Sequence, residues 1–184
     1  LLTACGGGGD KGANTPPPSD DKVELLDYVI TGVLTGPDGE PQARQTLTLA
    51  KSDNLEPSSI TTLSAGNIST SDEHGRFGFN PTEPGNYTIT TRNNDTGATV
   101  HVTVNNSGGE LTAEPITLKA AELGHVTGTV EGKRAGIEVF LAGTSYSART
   151  DNNGNFTITG VPAGKYDARA VVAGMAGAAV PVTV

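Results

Sequence analysis

The chain has 184 residues, of which 35% are hydrophobic and 4% aromatic, with no Trp and a formal net charge of −8. So acidic a balance lacks the clustered Lys/Arg face that neutralises phosphates, so no nucleic-acid partner is expected; unaided attraction to an anionic bilayer is excluded on the same ground. With 25 Gly and 11 Pro, turn signals recur every few residues. That predicts many short strands around a thin aliphatic core and no long helices.

At the N-terminus, Leu1-Leu2-Thr3-Ala4-Cys5 runs directly into Gly6-Gly7-Gly8-Gly9. Cys5 is the single cysteine, which excludes an internal disulfide and leaves packing to hold the fold. Leu2-Thr3-Ala4-Cys5 resembles the lipobox of bacterial lipoproteins, in which an apolar residue and two small ones precede a cysteine whose thiol takes a diacylglycerol. The resemblance implies that residues 1–4 are a signal-peptide remnant and that Cys5 is the lipidation site. The membrane is then a partner through acyl chains, each buried CH₂ contributing about 0.8 kcal/mol. It also implies a lipid anchor in the bacterial cell envelope, with Gly6 rather than Asp after the cysteine favouring the outer membrane or cell surface. Residues 5–22 are predicted to be a lipidated flexible linker, part Gly-rich and part stiffened by Pro16-Pro17-Pro18.

Val23-Glu24-Leu25-Leu26-Asp27-Tyr28-Val29-Ile30 is unusually apolar for a linker. It is read as the first strand of the following module, with a donor strand in an assembly as the other option. Beyond it the chain repeats itself. Ser71-Asp72-Glu73-His74-Gly75-Arg76-Phe77 aligns with Thr150-Asp151-Asn152-Asn153-Gly154-Asn155-Phe156, and Pro84-Gly85-Asn86-Tyr87 aligns with Ala163-Gly164-Lys165-Tyr166, all at a constant offset of 79. Upstream, Thr31-Gly32 matches Thr127-Gly128 at an offset of 96, so the first copy carries 17 extra residues, placed near 51–66. The Asp-x-x-Gly runs predict hairpin turns, in which the carboxylate accepts backbone amides and the glycine takes a positive φ. Each following Phe is predicted to point inward, and each Tyr to open a strand with its hydroxyl near the rim.

In the second copy, Thr127-Gly128-Thr129-Val130, Ala135-Gly136-Ile137-Glu138-Val139, Gly143-Thr144 and Val161-Pro162-Ala163-Gly164-Lys165-Tyr166 accompany the Asp151…Gly154…Phe156 turn. This set resembles a carboxypeptidase regulatory-like domain, nearly throughout Gly124–Val184. The first copy resembles it in the turn and Tyr motifs only. The resemblance implies a transthyretin-like, or prealbumin-like, seven-strand Greek-key sandwich. The expected organisation is therefore all-β: a sandwich over 23–120 and a second over 121–184, tandem copies following the N-terminal tether, which is expected to be disordered.

No catalytic residues, cofactor or metal site are expected. His74, His101 and His125 lack ligand spacing, and Asp151-Asn152-Asn153-Gly154-Asn155 lacks the acidic residue that closes a calcium shell. With Phe77, Phe156, Tyr87 and Tyr166 assigned to the cores, Tyr28, Phe79, Phe140 and Tyr146 are left as aromatics for contact. Tyr146, in Thr144-Ser145-Tyr146-Ser147, and Tyr28 are the candidate ligand or partner contacts. Pro181 marks the last strand as a sheet edge. These features predict a non-catalytic envelope lipoprotein, a stalk or adhesion-type module with a protein or glycan partner. The alternatives are a filament subunit that self-assembles by strand exchange, or an N-terminal accessory region of a larger surface enzyme.

Overall fold

Alternation sets the strands, and in the computed structural model it divides them between facing sheets. The structure describes residues 28–52, 67–132, 134–172 and 175–184; Cys5, the 5–22 linker, Val23–Asp27 and most of the 51–66 insertion lie outside these. The first copy contributes β1 (Ile30–Thr35), β2 (Thr46–Lys51), β3 (Ile68–Thr70), β4 (Arg76–Phe79), β5 (Gly85–Arg92), β6 (Thr96–Ser107), β7 (Glu110–Thr112) and β8 (Ile116–Lys119). Then β9 (Ala121–Glu122) leads through Leu123 alone into β10 (Gly124–Thr129), followed by β11 (Glu138–Leu141), β12 (Ser147–Arg149), β13 (Asn155–Val161), β14 (Lys165–Val172), β15 (Met175–Ala176) and β16 (Val180–Thr183).

The first sandwich sets a sheet β4-β1-β8 against a sheet β3-β2-β5-β6, with β7 and β9 extending β6. Ile30, Leu34, Phe77, Phe79 and Leu118 from one sheet meet Leu47, Leu49, Tyr87, Ile89, Val102 and Val104 from the other in one core. Each of these has its next-but-one neighbour on the same face, as a period of 2 requires. The second sandwich repeats the plan with β10-β13 facing β12-β11-β14, to which β15 and β16 add. Its core is smaller: Val126, Val139, Leu141, Ile158, Val161, Tyr166 and Ala168. Both sandwiches are all-β, with the Greek-key crossings between sheets that the family resemblance implied.

The repeat holds to the residue. Gly32 pairs Phe77 and Gly128 pairs Phe156; Leu49 pairs Ile89 and Leu141 pairs Ala168. The extra residues of the first copy are nevertheless divided. The offset falls from 96 at Gly32/Gly128 to 92 at Leu49/Leu141 and to 79 at Thr70/Arg149. So 4 residues enter between β1 and β2 and 13 between β2 and β3. Lys51 itself remains in β2, paired with Tyr87.

The Asp-x-x-Gly turns are not hairpins. β3 pairs β2 and β4 pairs β1, so the turn at Asp72–Gly75 carries the chain from one sheet across to the other; Asp151–Gly154 does the same between β12 and β13. The turn chemistry is as expected. The Asp72 carboxylate accepts the amides of His74 at 2.9 Å and Arg76 at 2.8 Å, and Asp151 accepts those of Asn153 and Asn155, both at 2.8 Å. Gly75 has φ +72°, and a Cβ there would stand 2.3 Å from the Leu34 carbonyl oxygen. Local sequence sets the turn, whereas the sheet that receives the next strand is set by long-range packing.

Candidate functional site

The outward face of β2, β5 and β6 carries Thr48, Ala50, Thr88, Thr90, Thr99 and His101, small and β-branched residues in place of charges. Such a face fits close contact better than solvent. It is covered by two turns of the second sandwich. Gly143, between β11 and β12, presses on the face: a Cβ there would meet the Thr88 Oγ1 at 2.8 Å, and Thr88 is 1% exposed. The turn between β13 and β14 lies over the end of β6, where the Thr99 amide donates to the Ala163 carbonyl at 3.1 Å and Ala98 bridges Ala163.

Three side chains seal this joint. The Tyr166 hydroxyl donates to the Pro162 carbonyl at 2.6 Å and stands 2.9 Å from the Thr99 hydroxyl. Its counterpart Tyr87 donates to the Glu83 carbonyl at 2.8 Å, the same bond to the residue four back. In the second copy, then, a corner that braces one sandwich also holds the other. Burial first, then the charge of nearby Tyr146, push the Tyr166 phenol far above its ordinary range, against a lowering hydrogen bond from Thr99. His101 Nε2 lies 2.7 Å from the Lys165 carbonyl, which can only accept, so Nε2 carries a proton; Nδ1 is 3.1 Å from the Thr88 hydroxyl. Arg92, at the end of β5, reaches across to hydrogen-bond Tyr146 and lies within 2.9 Å of where a Gly160 Cβ would stand.

Two clefts flank the joint. One, of about 250 Å³, is lined by Thr46, Thr48, Thr90, Arg92, Ser145 and Tyr146 among others. The other, of about 400 Å³, lies between His101, Asn86, Asp167, Pro181 and Thr183. The first combines hydroxyls, a guanidinium and a half-buried phenol whose pKa burial raises, with Arg92 opposing. That set can hydrogen-bond a hydroxyl-rich or anionic molecule.

The two contact residues expected from sequence are not brought together. Tyr146 lines the cleft, whereas Tyr28, 37% exposed, packs its ring over Gly78 in the first sandwich. Phe79 and Phe140 are each 1% exposed and offer no platform, and Phe156, assigned to the core, is only partly buried. Arg92 and Thr99 were not singled out from sequence, His101 was weighed only as a metal ligand and Pro162 only as part of the family motif; the signal available was the run of small, uncharged outward positions on three adjacent strands. Of the histidines, His74 lies in the Asp72 turn and His125 on β10. Among the described residues no group of three or more His, Cys, Asp or Glu could hold a metal ion. No described helix is long and apolar enough to cross a membrane.

Residues 122–184, the second sandwich, match the family model described as polysaccharide lyase family 4, domain II. No curated protein matches the chain in sequence. Among solved structures, a streptococcal ancillary pilin is similar at 14% identity over 84% of this chain and 57% of that one, with a TM-score of 0.37. The minor pilin of Streptococcus agalactiae is similar at 16% identity over 84% of this chain and 89% of that one, with a TM-score of 0.32. A shaft pilin of Lactobacillus rhamnosus GG is similar at 12% identity over 84% of this chain and 92% of that one, with a TM-score of 0.35. The chain spans little more than half the length of the first of these.

Proposed function

We propose that the chain is a non-catalytic structural and binding module of the bacterial cell envelope, lipid-anchored at Cys5, in which modules at 23–120 and 121–184 act as one stiff unit. The joint supports this reading. Only Ala120 and Leu123 lie between the strands on either side of β9, and both donate backbone hydrogen bonds, at 2.8 Å to Thr35 and 3.2 Å to Asp95. With Tyr166, His101 and Arg92 spanning the contact, little torsional freedom is left, unlike an ordinary linker between domains. The resemblance to carboxypeptidase regulatory-like domains agrees, since that family's catalytic zinc belongs to a different domain. Residual dipolar couplings on the full chain should fit one alignment tensor; two independent tensors would sink the stiff-unit reading. Envelope-extracted protein should carry diacylglycerol on Cys5, and none on a Cys5→Ser chain.

A second reading, an accessory region of a larger surface enzyme, is favoured by the name of the family model that matches the second sandwich. In that case the cleft beside Arg92 and Tyr146 contacts glycan. Binding on a glycan array that survives Tyr146→Ala would remove the cleft from that role.

A further inference from the structure

Among the described residues, the chain enters the first sandwich at β1 and leaves it from β8, and these two strands lie side by side in one sheet. They run parallel, Gly32 standing opposite Ile116 and Thr35 opposite Lys119. The N-terminal end of β1 and the C-terminal end of β8 are therefore at opposite ends of the pair. Tension applied through the chain on either side drags the two strands past each other along their length. Residues 36–115, which form the rest of the sandwich, lie off that path.

The ladder between them resists sliding. On its other side β1 is held by β4, from Ile30 opposite Phe79 to Val33 opposite Arg76. Thr35 closes the far end of the pair with two bonds: its carbonyl accepts the Ala120 amide at 2.8 Å, and its hydroxyl donates to the Leu118 carbonyl at 3.3 Å. Ile30, Leu34 and Leu118 are 0%, 1% and 2% exposed, so water is not at hand to take over the bonds one at a time. Gly32 forms a notch, where a Cβ would stand 2.7 Å from the Ile116 side chain and 2.4 Å from the Phe77 ring. A slip of two residues would bring the Leu34 side chain, on the same face, to where Ile116 sits.

Resting on the reading of Cys5 as the anchored end, we propose that β1 and β8 form a mechanical clamp, through which the first sandwich carries tension between the anchored N-terminus and the second sandwich. In shear, the four paired positions yield together within a slip of about 3.3 Å. Peeling breaks them singly, each releasing about 6.6 Å of chain. At equal bond strength the shear force is then roughly eightfold the peeling force.

The test pulls single molecules of the unlipidated full chain by Cys5 and one added cysteine, at one loading rate. Glu122→Cys, beyond the C-terminal end of β8, loads the pair in shear. Glu114→Cys, before the N-terminal end of β8, pulls on the same end of both strands and peels them apart. Both glutamates are exposed, and the two chains should be equally stable to urea. Rupture of the first sandwich, identified by the length of chain released, should need at least about threefold more force through Glu122→Cys than through Glu114→Cys. Equal forces, or a higher one through Glu114→Cys, overturn the clamp. Envelope-extracted protein that carries no lipid on Cys5 overturns the anchored end instead and leaves the force ratio as it was, so the two readings fail separately.

Discussion

Phe77 and Phe156 hold matched positions in the repeat, and removing each ring measures how much cover each sandwich provides. Phe77 is fully buried, so Phe77→Ala loses transfer energy and leaves a cavity, about 3–5 kcal/mol. It also loses the edge-on contact with Phe79, whose ring centroid is 6.0 Å away at 66°, a further ~1 kcal/mol. That is a large share of the roughly 5–15 kcal/mol that holds a domain folded, and Phe77→Leu serves as the milder form if the Ala variant does not fold. Phe156 has Ile158 where Phe77 has Phe79, and part of its ring faces solvent. Phe156→Ala should therefore cost about 1–2 kcal/mol by buried area. Urea unfolding at low protein concentration, followed by resolved NMR signals from each sandwich, gives both numbers by linear extrapolation. Equal losses from the two variants would refute the difference in cover between the two rings.

Tyr166→Phe removes bonds to both Pro162 and Thr99, so it should cost about 1–3 kcal/mol and separate one melting transition into two by calorimetry. The Asp72 side chain is 4% exposed and pairs with Arg76 at 2.8 Å. Burial alone would raise its pKa, but the Arg76 amide and guanidinium and the His74 amide outweigh this and hold it below 3.8. A depressed folded pKa means stability present above the unfolded value and lost as pH falls through the folded one. Asp72→Asn should therefore be less stable than the parent at pH 7, with the gap closing below about pH 4 in an acid titration of stability. A gap unchanged at low pH would show that the carboxylate charge is not what matters. Gly75→Ala places a Cβ 2.3 Å from a carbonyl oxygen at φ +72° and should lower stability by at least ~1–2 kcal/mol in thermal melts, whereas Gly39→Ala, with φ +87° and open space around it, should show the smaller strain alone.

The repeat, the all-β fold and the turn chemistry were legible because each is local. Asp72 and Gly75 specify a turn wherever the chain then goes, and Phe77 and Tyr87 follow by period 2. What was not legible depends on residues far apart in the sequence. Whether Asp72–Gly75 closes a hairpin or crosses between sheets is decided by which strand β4 pairs with, 40 or more residues away. Tyr146 could be named as a contact residue, but not that Arg92 would reach it from the other sandwich. Phe140 is left over for contact once four aromatics are assigned to the cores, and alternation with Val139 and Leu141 does put it outside the core, yet it is 1% exposed. Periodicity reports which face a residue is on, not whether that face is covered.

The joint also couples the two sandwiches energetically. Covering the β2-β5-β6 face of the first sandwich uses the turns before β12 and β14 of the second, and Tyr166 bonds in both directions at once. Loosening the joint then loosens a corner of the fold, so stiffness and stability of the second sandwich are coupled rather than separately adjustable. A Tyr166→Phe chain should therefore lose inter-module alignment in dipolar couplings and at the same time exchange the β14 amides faster; lost alignment with β14 protection unchanged would mean that the joint and the corner are separate units.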